Sequence, residues 1–341
     1  MKKKIIVTGG LGFIGSNLVK LLIDKNFFVI NIDKVSYSSN FYNLNGIDKK
    51  KYKFYKVDIN NQVKINKILN LHKPIGIFNL AAETHVDRSI DNPKKFLDNN
   101  INGVFNLMES VLIYLKKQKR KKFRFIHIST DEVYGDIKKN KKSKEEDSYI
   151  PSSPYAASKA ASDLLIKSYI RTYEFPAIIT NCCNNYGPNQ YPEKLIPRMI
   201  INFKNNLNLP VYGNGKNERE WIHVQDHCQA LLKIFQKGVL GENYNIGSGK
   251  IVRNLDLIKK IIIYCKKFLQ SESQIEYVKD RPGHDKRYAL NSNKIRRHLG
   301  WTTKYNFDTG IENTIMWYIN NKQWIKKIIN KKYSKRIGLK L

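Results

Sequence analysis

The chain is poor in cysteine, in acidic residues and in long apolar runs. Four cysteines occur in 341 residues, Cys182, Cys183, Cys228 and Cys265, with no C-x-x-C spacing. That excludes a disulfide framework and a zinc site built on paired cysteines, predicts no metal, and fits a reducing cytoplasm. The adjacent Cys182 and Cys183 read as small residues at a strand end. No stretch approaches the ~18 uninterrupted apolar residues of a membrane helix, so no membrane insertion is expected. The start, Lys2–Lys4 followed by Ile5–Val7, has the look of a signal peptide. Gly9, Gly10, Gly12 and Gly15 interrupt its apolar run, however, and no small-residue cleavage site follows. A cytoplasmic protein is expected.

Acidic residues number 29 against 61 lysines and arginines, a formal net charge of +32. A balance this basic raises nucleic acid or an acidic membrane surface as a partner. Its make-up argues against both. Only 12 of the basic residues are arginine and 49 are lysine, spread along the whole chain beside abundant Asn and Ile. Arginine, the residue suited to phosphate and base recognition, is not enriched. The densest runs, Lys116–Lys122 and Lys138–Lys144, read as solvated helix ends and loops. No specific nucleic-acid partner is expected.

What is present is ordinary globular material, 41% hydrophobic and 26% charged, in a length that suits about two domains or one large α/β unit. Short β-branched runs alternate with amphipathic stretches up to about residue 180, the pattern of a parallel sheet covered by helices. Candidate strands are Lys4–Thr8, Phe27–Asp33, Lys53–Asp58, Ile75–Leu80, Phe123–Ser129 and Ala177–Asn181. Candidate helices are Phe13–Lys25, Gln62–Leu71, Lys94–Gln118 and Tyr155–Tyr173. After Asn184 prolines and Asn/Gly loops separate shorter elements, with helical patterns at Leu195–Phe203, Val224–Phe235, Leu255–Phe268 and Ile311–Ile319. The lysine-rich tail from Ile325 to Leu341 reads as a frayed or surface helix.

Three local patterns carry chemistry. Strand Lys4–Thr8 runs through Gly9, Gly12 and Gly15 into a helix, and a second strand ends in Asp33, 18 positions beyond Gly15. Glycines so spaced allow a tight turn, close approach of backbone to a pyrophosphate, and close helix–strand packing, with helix N-terminal amides facing the phosphates. A carboxylate at Asp33 accepts from ribose hydroxyls and repels a 2′-phosphate, which favours NAD over NADP, although Lys34 follows it. A lone glycine motif is weak evidence; this one lies between a strand and a helix. The second pattern is Ser129-Thr130-Asp131-Glu132-Val133-Tyr134-Gly135 at the carboxyl end of a strand, where ligands bind in doubly wound sheets. Adjacent carboxylates repel, and their pKa values separate into an acid and a base. Third, Tyr155 and Lys159 share one helix face, so the ammonium is expected to lower the phenol pKa and make it a base.

Together these residues resemble the dTDP-glucose 4,6-dehydratases, extended members of the short-chain dehydrogenase/reductase family. The likeness covers nearly the full length. It rests on Thr8–Ser16, Leu80–Ser89, Ser129–Gly135, Tyr155–Lys159, Asn184–Pro188, Pro192–Pro197 and Asp280–Asp285. The resemblance implies a Rossmann-like doubly wound parallel sheet in an NAD-binding domain over residues 1–185. Residues 186–341 then form a smaller α/β domain, mainly for the nucleotide sugar, with part of 220–250 returning to the first. It also implies a three-stage reaction on dTDP-glucose. Tyr155, supported by Lys159, deprotonates the C4 hydroxyl as hydride passes to tightly bound NAD. Glu132 removes the C5 proton while Asp131 protonates the departing C6 hydroxyl. Hydride then returns to C6, giving a 4-keto-6-deoxy sugar, and Thr130 bonds the C4 oxygen.

The cofactor residues implied are Gly9, Gly12, Phe13, Ile14, Gly15, Asp33, Lys34, Val35, Ser36, Asp58, Ile59, Leu80, Ala81, Ala82, Glu83, Thr84, Asn99, Tyr155, Lys159 and Asn185. Asn99 stands where Thr is common. The substrate residues implied are Thr84, Thr130, Asn184, Lys194, Leu195, Ile196, Pro197, Pro210, Val211, Tyr212, Arg219, Asn254, Asp280, Arg281, Pro282, Gly283 and His284. Arg219 and Arg281 suit a diphosphate, since a planar guanidinium matches phosphate oxygens. Arg198 replaces an expected apolar residue. A homodimer is implied through helices Lys94–Gln118 and Tyr155–Tyr173; the apolar stripe Leu107, Val111 and Leu115 either serves it or faces this chain's own sheet. Rival readings are a nucleotide-sugar 4-epimerase, which needs no Asp131–Glu132 pair, another nucleotide-sugar 4,6-dehydratase such as one acting on GDP-mannose, and an idle NAD- or RNA-binding relative.

Overall fold

The structure, a computed structural model, describes residues 3–118 and 122–328. Its strands are β1 (Lys4–Thr8), β2 (Phe28–Asp33), β3 (Tyr52–Lys56), β4 (Gly76–Asn79), β5 (Arg124–Thr130), β6 (Ala177–Cys182), β7 (Asn184–Tyr186), β8 (Leu209–Tyr212), β9 (Glu218–His223), β10 (Asn243–Ile246), β11 (Ile251–Arg253) and β12 (Ile275–Val278). Seven of them form one sheet in the order β10-β6-β5-β4-β1-β2-β3, with every pairing parallel. The order reverses between β1 and β4, the switch point at which such sheets open a crevice beyond their carboxyl ends.

Consecutive apolar residues on β1 serve opposite faces. Ile5 and Val7 enter one core with helices α1 (Phe13–Asp24) and, later in the chain, Val224–Lys237, while Ile6 joins a second core with helices from the other face. Burial on both sides is why these strands read as near-continuous Val/Ile runs. Helix α2 (Gln62–His72) covers the second face. A third core is separate, and the small sheets β11-β9-β7 and β12-β8 accompany it.

The helical pattern expected over Lys94–Gln118 is interrupted. Helix α3 (Val86–Asp91), not anticipated, comes first; then α4 (Pro93–Phe96), a π-helical turn over Leu97–Asn102, and α5 (Gly103–Gln118). The wide turn brings Asn100 inward. Its side chain accepts from Glu83 N at 2.8 Å and donates to Glu83 O and Ser158 Oγ at 3.0 and 2.9 Å. A π-turn at a ligand site is a recurrent device, invisible to a 3.6-residue period.

Leu107 and Val111 on α5 are fully buried in the second core and Leu115 packs against it, so that stripe faces this chain's own sheet. Helix α6 (Pro154–Tyr173) starts with Ser153 accepting from Ala156 N and Pro154 in its first turn. Beyond it lie α7 (Leu195–Lys204), α8 (Val224–Lys237), α9 (Asn254–Lys266), α10 (Asn293–Leu299), α11 (Phe307–Asn320) and α12 (Lys322–Ile328). The start of the expected surface tail is in fact packed: Trp324 and Ile325 are buried, and Trp324 Nε1 donates to Asn43 Oδ1 at 2.7 Å. The remainder of that tail, and residues 119–121 of the first lysine run, lie outside the described residues. Among the described residues no helix is long and apolar enough to cross a membrane, and no cluster of His, Cys, Asp and Glu is arranged to hold a metal ion.

Candidate active site

A cavity of about 710 Å³ opens at the carboxyl ends of the central strands and extends to β8, β9 and β12. At one end the wall is largely backbone. Gly9 takes φ +70°, and a Cβ added there would meet the backbone of Ala81 at 3.0 Å. At Gly15 an added Cβ would stand 2.2 Å from Gly9 O, so only glycine lets α1 start this close to β1. At Gly12 an added Cβ would meet only Gly9 O, at 3.3 Å, on the cavity side. No side chain caps α1, which leaves the first-turn amides directed at the cavity, the arrangement that receives a pyrophosphate.

Asp33 is buried at the end of β2 and lines this end. Its carboxylate accepts from Leu11 N at 3.0 Å and from Val35 N and Ser39 Oγ at 2.8 Å. One acceptor position remains open to a ligand hydroxyl. Val35 takes φ +63°, uncommon for a β-branched residue, and its side chain packs against the first core rather than lining the cavity. Lys34 does not stand over Asp33. Its ammonium bonds Asn99 and lies 3.8 Å from Asp58 and 4.0 Å from Glu83.

The middle of the cavity is made by side chains. Thr130 ends β5, and its hydroxyl accepts from Glu132 N and donates to Asp131 Oδ1, both at 3.3 Å, at the start of a 3-10 turn over Asp131–Tyr134. Asp131 is 3% exposed and its Oδ2 has no hydrogen-bond partner among the described residues. Burial first, then the carboxylates of Glu132 and Glu220, push its pKa well above the usual carboxylate range. Burial also raises Glu132, but the cations Arg219, Arg281 and Lys194 oppose the rise. The two acids are therefore separated as the sequence predicts: Asp131 holds its proton the more firmly.

Tyr155 and Lys159 line the same cavity from α6. Ser89 Oγ accepts from Tyr155 N at 3.1 Å and so anchors the helix start. The expected lowering of the phenol pKa is not what the structure gives. Burial, then Glu132, raise it well above 10, with a hydrogen bond to Thr130 opposing. Lys159 Nζ instead donates to Ile128 O at 2.7 Å and lies 3.2 Å from His127 Nε2, and burial lowers its own pKa to about 8. In a dry site desolvation of the phenolate outweighs a neighbouring ammonium whose charge is itself costly.

At the far end, Arg219 donates to Glu218 O and Asp285 O at 2.9 and 2.8 Å and stacks on Tyr288 at 4.2 Å. Arg281 pairs with Asp87 at 3.3 Å and stacks on Tyr212, whose hydroxyl donates to the same carboxylate at 2.7 Å. Lys194 Nζ donates to Thr84 O at 2.7 Å. Beside it Glu193 accepts from the Tyr37 hydroxyl at 2.8 Å and from Arg88 Nη2 at 3.2 Å. Arg198 lines the cavity with no hydrogen-bond or ion-pair partner for its guanidinium among the described residues.

Most residues expected at the site do line this one cavity. Five do not: besides Val35, Ile196 and Pro197 are buried in α7, with Ile196 in the third core, Asp280 accepts from His284 Nδ1 at 2.6 Å, and Pro282 is exposed. Sequence reasoning missed Tyr288, Asp87 and His85 as lining residues, and weighed Arg198 only as a departure. Asp87 and His85 stand inside a motif already singled out. Tyr288 lies three positions past Asp285, and no spacing rule pointed to it.

The family model described as GDP-mannose 4,6 dehydratase matches residues 6–314. The dTDP-glucose 4,6-dehydratase of Escherichia coli is 45% identical over 98% of this chain and 99% of its own. The chain belongs to the dTDP-glucose 4,6-dehydratase family. Among solved structures, the dTDP-glucose 4,6-dehydratase of Bacillus anthracis in complex with NAD matches with a TM-score of 0.86 and 40% identity over 96% of this chain and all of that one. The enzyme of Streptomyces venezuelae, also solved with NAD, matches at 0.89 and 38% over the same shares. The fold is the Rossmann-like doubly wound sheet that the resemblance implied, and it is the helix-covered parallel sheet that the alternating pattern predicted.

Proposed function

We propose that this chain is an NAD-dependent hydro-lyase that converts dTDP-glucose to dTDP-4-keto-6-deoxyglucose and water. The observation that carries the reading is the meeting of Thr130, Asp131 and Glu132 with Tyr155 and Lys159 in the wall of one cavity. A 4-epimerase has no use for a protonated acid beside a base; an elimination needs both. An idle relative would not need the four groups kept together.

NAD fits the glycine end, where a turn with no room for side chains, uncapped helix amides and the Asp33 carboxylate suit a pyrophosphate and a ribose. When bound it supplies a hydride acceptor for C4 and the hydride later returned to C6, and its cationic ring favours the Tyr155 phenolate. Tyr155 takes the C4 hydroxyl proton and Thr130 bonds that oxygen. Once C4 is a ketone the C5 proton is acidified. Glu132 removes it while Asp131, kept neutral by burial, gives its proton to the leaving C6 hydroxyl, so water departs; the proton held by Glu132 goes back to C5 when C6 is reduced. Lys194, Arg219 and Arg281 hold the diphosphate, and Pro210–Tyr212 and Asn254 hold the rest of the nucleotide. Arg198, with no acidic partner among the described residues, adds a further donor there.

We read residues 1–185 as the dinucleotide domain and 186–341 as mainly the sugar-nucleotide domain. Support for a return of 220–250 to the first is that β10 pairs with β6 and α8 packs on α1. A homodimer fits the exposed apolar residues Phe105 and Ile113 on α5 and Leu164 on α6, 40%, 39% and 56% exposed. A cytoplasmic location fits four free, buried thiols. The test is to incubate the purified protein separately with dTDP-, UDP- and GDP-sugars and identify products by mass. Loss of water from dTDP-glucose is expected; conversion of UDP- or GDP-sugars alone, or C4 inversion without loss of water, would overturn the reading.

A further inference from the structure

Behind Lys159 lies a polar cluster that the reaction just described does not use. His127 on β5 and Asp163 on α6 are both fully buried, and neither lines the cavity. His127 Nε2 is 3.2 Å from Lys159 Nζ and 3.4 Å from Asp163 Oδ1. Asp163 Oδ2 accepts from Ser129 Oγ at 2.7 Å, the residue just before the Thr130–Glu132 triplet. On its other side the imidazole joins a chain that begins at the cavity wall. Ala81 N donates to Thr8 Oγ1 at 3.2 Å, Thr8 donates to Asn79 Oδ1 at 2.7 Å, and Asn79 Nδ2 faces His127 Nδ1 at 3.1 Å. A ring nitrogen that accepts at Nδ1 carries its proton at Nε2, where it faces the Asp163 carboxylate; a charged Lys159 only donates, so its approach to Nε2 is packing and not a hydrogen bond. Asp163 also has Tyr149 as a side-chain hydrogen-bond partner, and its Oδ2 accepts from Asn181 Nδ2 at 3.4 Å.

A lysine buried at this depth holds its charge only with a compensating anion, and its aim only with fixed acceptors. The carbonyl of Ile128 is one such acceptor. We propose that His127 and Asp163 are positioning residues for Lys159, the carboxylate keeping it charged and the imidazole holding that carboxylate in place beside it. The inference rests on the dehydratase reading above for the role of Lys159, but not for the contacts.

The electrostatics agree in direction. Burial lowers Lys159, with Asp163 the strongest opposing group; burial raises Asp163 to about 6, with Lys159 opposing. His127 is driven well below its usual value by burial and then by Lys159, so it stays neutral and acts by hydrogen bonding. The other titratable groups facing the cluster are Cys182 from β6, Lys167 from α6, Tyr149 from the segment before α6 and Tyr134 from the 3-10 turn after β5. Asp131 reaches it through Cys182, which feels both Asp131 and Lys159.

The test uses the full chain. Asp163→Asn should lower the Lys159 pKa and move the alkaline limb of kcat, near pH 8 in the parent, downward by about one unit or more. KM for dTDP-glucose should stay within about twofold, since neither residue touches the cavity. Lysine ¹³Cε NMR, with the Lys159 signal identified by its loss in Lys159→Met, should give the same shift without any turnover. His127→Leu should act like Asp163→Asn, and His127→Gln, which keeps a polar group near Nε2, should recover most of the profile. The histidine pair carries the test if Asp163→Asn does not fold. An unmoved Lys159 titration and pH profile in Asp163→Asn or His127→Leu, with only melting lowered, would overturn the proposal. If the parent fails to dehydrate dTDP-glucose, the functional reading falls while the NMR titration still decides the cluster.

Discussion

The two ends of the cavity are built from different material. The glycine end is mostly backbone: Gly9–Gly15 and uncapped helix amides at one strand-to-helix turn, with the Asp33 carboxylate brought beside them from the end of the neighbouring strand β2. The opposite end is made of long side chains drawn from distant segments. Arg281 meets Asp87, Tyr212 meets Asp87, and Glu193 meets Arg88 across 105 positions. A backbone site tolerates change in side chains and fails when a Cβ appears; a side-chain site fails one charge at a time.

The largest effect is expected between the two ends. Glu132→Gln should cut dehydration by roughly 10²–10⁴-fold while the absorbance change of C4 oxidation stays measurable, which separates the two chemical stages. Normal turnover in that variant would remove the role given to Glu132. At the backbone end, Gly15→Ala should lower stability by about 1–3 kcal/mol in denaturant titration and reduce the NAD retained on purification, because the new methyl overlaps Gly9 O. If Gly15→Ala is as stable as the parent, the contrast between the ends is wrong. At the side-chain end, Arg198→Leu should raise KM for dTDP-glucose about tenfold or less with kcat unchanged, a loss of uniform binding. The smallest catalytic effect is expected outside both ends. Phe105→Asp combined with Leu164→Asp should convert a dimer to monomer in light scattering, with the site chemistry retained.

Legibility follows the same division. The turn Gly9–Gly15, the triplet Thr130–Glu132 and the pair Tyr155–Lys159 are readable because each role is set within about one helical turn or strand end. Strand β1 agrees residue for residue with its hydrophobic run. The π-turn at Leu97–Asn102 was not readable, since one wide turn barely alters a 3.6-residue apolar period. Periodicity marked Leu107 and Val111 as one face but could not say what that face meets. Tyr288, His127 and Asp163 act through partners far along the chain or on neighbouring elements, where spacing carries no signal.

By itself the amino-acid order determined the parallel sheet, the nucleotide-type turn, and which acids and which phenol stand at strand and helix ends. Those follow from local sterics and from hydrophobic runs. Only the tertiary structure decided how far each group's charge is disfavoured. Asp131 keeps its proton, Tyr155 resists losing its own, and Lys159 sits near pKa 8 because packing removes water from around them. Desolvation depends on everything within a few ångströms, whatever its position in the chain.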